Sequence, residues 1–207
     1  MAEKGEQTRE RILDEALRLA SRDGLEGLSI GGLAAALSLS KSGLFAHFGS
    51  KEALQVAVLD HASARLGERS AAVREAAAGP DRIRALLQVS MDWMDDPARP
   101  GGCPITGACF EFDDQEGPVR EALVQLQRAG QARTAAAFGA FADPAWDPHQ
   151  LAFDYRAITL AYHHATRVLR AAQARDWARS ALEALIARAR QPPPPLPSPG
   201  VPCPPCS

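Results

Sequence analysis

The chain has 207 residues, 23 Lys+Arg against 25 Asp+Glu, a formal net charge of −2, and 46% hydrophobic and 23% charged residues. This composition excludes a mostly disordered chain, and near-neutrality excludes a global basic field, so any binding to nucleic acid must come from a local patch. No stretch approaches the roughly 18–20 apolar residues of a membrane span, Met1 to Glu10 is polar without the apolar centre of a secretory signal, and the expected compartment is the cytoplasm.

Taken in chain order, helical spacing dominates and alternating β-branched or aromatic runs are absent, so an all-α fold of about nine helices is expected. The first helix carries Ile12, Leu13, Ala16, Leu19 and Ala20 on one side and stops at Asp23-Gly24. Ser29 opens a short second helix with Ile30, Leu33 and Ala34. After a break at Ser38-Leu39-Ser40, Ser40 opens a third, from Lys41 to about His47. Gly49-Ser50 ends it, and a long fourth helix runs from Lys51 to about Ala78, before Gly79-Pro80. Asp81 opens a fifth, with Ile83, Leu86, Leu87, Ser90, Met91 and Met94 as its inward stripe. Beyond a loop at Pro97, Pro100 and Gly101-Gly102, a sixth covers about Cys103 to Asp114. The seventh runs from Pro118 to about Phe141, the eighth opens at Asp147-Pro148, and the ninth covers about Asp176 to Arg190. Gln191 to Ser207 contains nine prolines and reads as a mobile tail. The expected organisation is therefore a reading head over 1–54, a helical body over 55–190 and the tail over 191–207.

Short helices two and three, joined by a tight turn and followed by a long helix, have the layout of a helix-turn-helix unit. The second helix of such a unit can enter a major groove. Leu33, Ala34, Leu37, Leu39 and Leu44 supply the apolar side that packs the unit. Ser40, Lys41, Ser42 and Gly43 supply a small polar face that fits a groove about 12 Å wide. Only three of the basic residues are lysines, and two of them, Lys41 and Lys51, flank this helix, where cations meet phosphates. The helix starts at Ser29, Ser40 and Lys51 add backbone donors aimed at anions.

The run from Thr8 to Leu54, and above all Ser40 to Leu54 (SKSGLFAHFGSKEAL), resembles the DNA-binding domain of the tetracycline-repressor (TetR) family of bacterial transcriptional regulators. The resemblance implies DNA contact through Ser29, Ser40, Lys41, Ser42, Gly43, Phe45, His47 and Lys51, with His47 and Lys51 at the family's signature His and phosphate-binding Lys. Phe45 stands where the family usually has Tyr and cannot donate a hydroxyl to a phosphate, although its ring can still meet a thymine methyl. Ser38 stands where a turn Gly is common. Either it is held at positive φ, at a cost of roughly 1 kcal/mol, or the turn is shifted. The first sixty residues hold fewer bases than acids, so a basic face requires acids turned away from it.

For the remainder, the resemblance implies an all-helical domain that binds a small-molecule effector and dimerises through the last two helices. Periodicity supports the dimer independently. On the eighth helix Leu151, Tyr155, Ile158, Tyr162, Ala165 and Leu169 form one stripe, and Phe153, Ala157, Leu160, His164 and Val168 form a second. A helix apolar on two sides packs inward and outward at once. The ninth helix adds Trp177, Ala181, Leu182, Leu185 and Ile186, and two such pairs make a four-helix interface. Candidate effector-lining residues are Trp93, Met94, Cys103, Ile105, Cys109, Phe110, Phe112, Phe138, Tyr162 and His163.

No nucleophile elbow, P-loop, HExxH or dinucleotide glycine motif occurs, so no enzyme activity, metal or cofactor is expected. Cys103 and Cys109, about 9 Å apart on a helix, are too distant for a disulfide and read as thiols. The expectation is thus a cytoplasmic homodimeric regulator, a repressor on near-palindromic double-stranded operator DNA, with no membrane partner. The alternative is an all-helical small-molecule-binding or thiol redox-sensing protein whose DNA-binding unit is not functional.

Overall fold

The computed structural model describes residues 2–194. Among these lie nine helices and no strand: α1 (Ala2–Asp23), α2 (Ile30–Ala36), α3 (Lys41–Phe48), α4 (Lys51–Ala76), α5 (Gly79–Asp95), α6 (Pro104–Glu111), α7 (Pro118–Gly139), α8 (Pro148–Arg167) and α9 (Ala174–Ala189). The expected tail over 191–207 lies outside the described residues from 195 onward.

Helix ends follow their local chemistry. Gly24, at φ 85°, stops α1. The Ser29, Ser40 and Ser50 hydroxyls accept the Gly32, Gly43 and Ala53 N–H groups at 3.0–3.1 Å and start α2, α3 and α4. Between α2 and α3, Ser38 does adopt φ 55°. Its N–H bonds to Ala35 O, and that of Leu39 to Ala34 O, which closes α2 in the pattern usual for a left-handed cap residue. This turn carries Leu39 out of the expected core, to 43% exposure.

Burial follows the helical stripes. Ile12, Leu13, Ala16, Leu17 and Ala20 of α1 pack with Leu33, Ala34, Leu44, Leu54 and Val58 in the head, with Leu17 rather than Leu19 at the centre. In the body Ile83, Leu87, Met91, Phe138, Leu151, Tyr155 and Leu182 form the core. Polar ties clamp its helices: Arg84 holds Glu183 through two bonds of 2.7 Å, and Arg175 bonds both Asp92 and Asp95. Three further expectations need correction. The helix α6 ends at Glu111 rather than Asp114, where Phe112 leaves helical geometry and buries its ring. The start of α9 is Ala174 rather than Asp176. Because α8 ends at Arg167, Leu169 lies beyond it and is exposed instead of inward.

Candidate nucleic-acid interface and internal cavity

The head presents α3 on its surface with a small, polar first turn. Ser40, Lys41, Ser42 and Gly43 are all exposed, as are Ser29, His47 and Lys51. Phe45, half exposed at 54%, projects from the same helix, while Leu44 is fully buried and anchors it. The Ser42 hydroxyl lies 3.3 Å from that of Ser40. The aliphatic part of Lys41 passes over Gly31, where an added Cβ would come within 3.1 Å of Cε. At the far edge Lys51 Nζ donates to the Glu26 carbonyl at 2.6 Å, which fixes the amine and leaves further protons for an anion.

Electrostatics agree with this layout. No carboxylate occurs between Glu26 and Glu52, so α2, its turn and α3 carry cations only. Three acids of α1 are engaged elsewhere: Glu15 with Arg18 at 2.6 Å, Asp23 with Arg22 at 2.6 Å, and Asp14 with His61 at 2.7 Å. Hydrogen bonds from Arg18 and Arg22 hold the Glu15 and Asp23 carboxyls below the usual carboxylate range. Sequence reasoning missed Arg9. Its guanidinium lies 5.6 Å from the centre of the Phe48 ring, beside the start of α4, and places a third cation at that edge. An exposed Arg on the polar side of α1 carries no local signal that singles it out.

In the body, α4–α8 enclose a cavity of about 680 Å³. Of the ten candidate lining residues, the structure brings Trp93, Met94, Cys103 and Ile105 into its wall. The other six lie elsewhere. Phe110 is 66% exposed on α6, and Phe112 and Phe138 are buried in the packed core, the latter 5.6 Å from the Phe141 ring. Cys109 is half-buried and its sulfur accepts from Gln127 at 3.2 Å. Tyr162 donates its hydroxyl to Asp95 at 2.5 Å. His163 is half-buried beside Gly102, with Nε2 unpartnered among the described residues. The wall also holds Leu66, Leu86, Gln127, Thr134, Tyr155 and three arginines, Arg82, Arg133 and Arg156, which sequence reasoning did not single out. For Gln127 and Thr134 the signal is a face of α7 on which Gln127, Gly130, Thr134 and Ala137 recur at helical steps; the arginines carry no such local signal.

Burial pushes the Cys109 thiol above the ordinary cysteine range, which disfavours the reactive thiolate. Cys103 and Cys109 are both free thiols.

The head also touches the loop and helix beside the cavity, in addition to α4, which runs from Lys51 to the cavity residues Ser63, Leu66 and Ser70. Glu111, at the end of α6, accepts the Glu26 N–H at 2.7 Å, and Glu26 is the residue whose carbonyl holds Lys51. Ser21 of α1 accepts the Gly101 N–H at 2.9 Å and donates to Gly102 O at 3.3 Å, immediately before cavity residue Cys103. Buried Gln55 of α4 donates to Leu25 O at 2.8 Å.

The outward faces of α8 and α9 are apolar. Phe153 and Trp177 are more than half exposed, as is Val168 just past the end of α8, and Ala157, His164 and Ala181 lie exposed on the same two helices. Among the described residues no helix is long and apolar enough to cross a membrane.

Residues 12–58 match the family model described as bacterial regulatory proteins, tetR family, and residues 79–182 match the model described as tetracyclin repressor-like, C-terminal domain. Similar solved structures include a TetR transcriptional regulator from Chloroflexus aurantiacus (28% identity, covering 92% of this chain and 98% of that one, TM-score 0.79). Another is a TetR-family regulator from Streptomyces coelicolor (20% identity, 88% and 96%, TM-score 0.79). A third, from Saccharomonospora viridis, was solved in complex with choline (18% identity, 88% and 96%, TM-score 0.75). No curated protein matches the sequence.

Proposed function

The chain belongs to the TetR family of transcriptional regulators, DNA-binding proteins rather than enzymes, and we propose that it is a cytoplasmic homodimeric repressor released from its operator by a small molecule. The proposed division is a reading head over 1–54 and an effector-binding and dimerising body over 55–190. Each subunit sets α3 in a major groove, with Ser40, Ser42, Gly43 and Phe45 toward the bases and Ser29, Lys41, His47 and Lys51 toward phosphates. A two-fold dimer then requires a near-palindromic operator, with half-sites separated by about one helical turn, roughly 34–36 Å, or a multiple of it. The apolar outer faces of α8 and α9 support pairing through these helices, and the solved S. viridis relative supports small-molecule binding in this scaffold.

The observation that carries the reading is the stretch from Gly27 to Lys51. It is free of carboxylates, has a serine cap at the start of both of its helices, and exposes its small polar side chains. Effector binding in the cavity acts on the head through the Glu111–Glu26–Lys51 chain, by no more than the effector's differential affinity for the two states. Sequencing genomic fragments retained by the purified protein identifies the operator. Lys41→Ala/Lys51→Ala then lowers affinity for all retained fragments, and the slope of log affinity against log salt becomes shallower by about 2, roughly one per lost phosphate contact. Retention of no fragment above background by the unaltered protein favours the alternative, a ligand-binding protein with an inactive head, for which the missing Phe45 hydroxyl is the supporting observation.

A further inference from the structure

The wall of the internal cavity is unbalanced in charge. Its charged side chains are Arg82, Arg133 and Arg156, and none is acidic. Several other arginines of the body are matched: Arg84 with Glu183, Arg99 with Asp96, Arg175 with Asp92 and Asp95. Among the described residues neither Arg133 nor Arg156 has a carboxylate or carbonyl partner. Arg156 is half-buried, and its charge is felt at Cys109, Tyr155 and His163. A cation withdrawn from water without a counter-ion is costly, and the cost is relieved when an anion enters.

Several neutral donors in the wall are already engaged. The Ser70, Ser90 and Thr134 hydroxyls donate to carbonyls one turn back in their own helices, at 2.8, 2.9 and 3.1 Å. Gln127 donates to Cys109. The charged donors left for a ligand are the Arg133 and Arg156 guanidiniums, beside the neutral Ser63, Thr106 and Gln131 side chains and the Trp93 indole N–H, which is buried without a partner among the described residues. The rest of the wall is apolar, with Leu66, Leu86, Met94, Ile105 and Leu126. The exposed lining residues Gln131, Arg133, Ala136 and Phe153 all belong to α7 and α8, which marks the mouth there.

We infer that the cavity takes an amphipathic organic acid, with its carboxylate held by Arg156 and Arg133 toward the α7–α8 mouth and its apolar body lying inward against Leu86, Met94 and Ile105. The volume of about 680 Å³ suits a molecule of that kind. The guanidinium fork matches a carboxylate in two parallel bonds, and at the half-buried Arg156 reduced access of water strengthens that pair relative to one on the surface. A cationic ligand is disfavoured by the same charges. The assignment rests on reading this cavity as the effector site.

The test uses the full chain and two matched probe series: 2-naphthoate, 2-naphthylmethanol and 2-naphthylmethylammonium; and decanoate, decanol and decylammonium. Calorimetry is expected to give tighter binding of the carboxylate than of its alcohol in at least one series, by about tenfold, with the ammonium weakest. Arg156→Gln and, separately, Arg133→Gln are expected to remove most of that preference while leaving alcohol binding unchanged. Arg133 is exposed, so its variant tests the assignment even if Arg156→Gln fails to fold. The inference is overturned if no carboxylate binds, if the alcohol or ammonium equals the carboxylate in both series, or if the preference survives in both folded variants. Operator retention is scored on the same protein without probes. Its absence overturns the regulator reading while leaving the anion site standing, and a carboxylate that binds without changing operator affinity overturns only the effector role.

Discussion

Gly101→Ala is expected to weaken the junction between head and body severely. A Cβ built on Gly101 falls 1.5 Å from the Ser21 carbonyl oxygen, 2.4 Å from its carbon and 3.1 Å from the Arg22 nitrogen. A tolerable carbon contact needs roughly 3.5 Å, so the loop and α1 must part by about 2 Å. Neither side yields easily. Ser21 sits in the last turns of α1, and the loop is pinned by Gly102 N–H to Arg99 O at 2.9 Å and by Arg167 to Pro100 O. Separation on that scale breaks both Ser21 bonds, to Gly101 N–H and to Gly102 O. At about 1 kcal/mol for each bond and roughly 1–3 kcal/mol for residual overpacking, the loss is about 3–5 kcal/mol. For a chain of this size that lowers Tm by on the order of 10 °C. Gly67→Ala is the control, because in α4 its added Cβ meets nothing within 4 Å. Better helix propensity is expected to raise stability there by roughly 0.5–1 kcal/mol. Urea and thermal unfolding at fixed protein concentration measure both. A Gly101→Ala loss below about 1 kcal/mol would refute the steric reasoning.

Three further outcomes follow from single residues. Ser38→Gly, at φ 55°, relieves left-handed strain and is expected to raise the urea midpoint, by up to about 1 kcal/mol of stability; no change would show that the turn is unstrained. Burial pushes the Tyr155 hydroxyl up to about 12 from an ordinary value of 10. The unfolded chain therefore releases this proton first, so stability present below pH 10 is lost as pH rises from 10 to 12, by roughly 3 kcal/mol. Tyr155→Phe should remove that part of the slope, as read from unfolding curves across this range. Glu111→Ala deletes the acceptor of the Glu26 N–H and frees the turn that holds Lys51. The ratio of operator affinities without and with effector should fall toward one, while affinity without effector changes less; an unchanged ratio would exclude this route.

What the amino-acid order reveals unaided depends on sequence distance. Ser29, Ser40 and Ser50 mark three helix starts because a serine hydroxyl reaches an N–H only three residues on, and each start falls where expected. The inward stripes are legible for the same reason, since burial repeats every three or four residues. Periodicity tells which side of a helix is covered, but not whether the covered space is filled. Phe138 and Trp93 therefore look alike in sequence, yet one packs against Phe141 and the other borders a cavity. Polar members of that wall, Arg133 and Arg156, stand out only once α7 and α8 are placed side by side. Leu39 shows the limit at the shortest range, since a single left-handed residue before it turns an apolar side chain outward. The connections between cavity and reading face are the least legible. Ser21 with Gly101 and Glu26 with Glu111 are 80 and 85 residues apart. A contact able to couple two domains must join segments that local signals specify independently. The residues that transmit the signal are therefore those that helix-by-helix reading assigns to ordinary turns and caps.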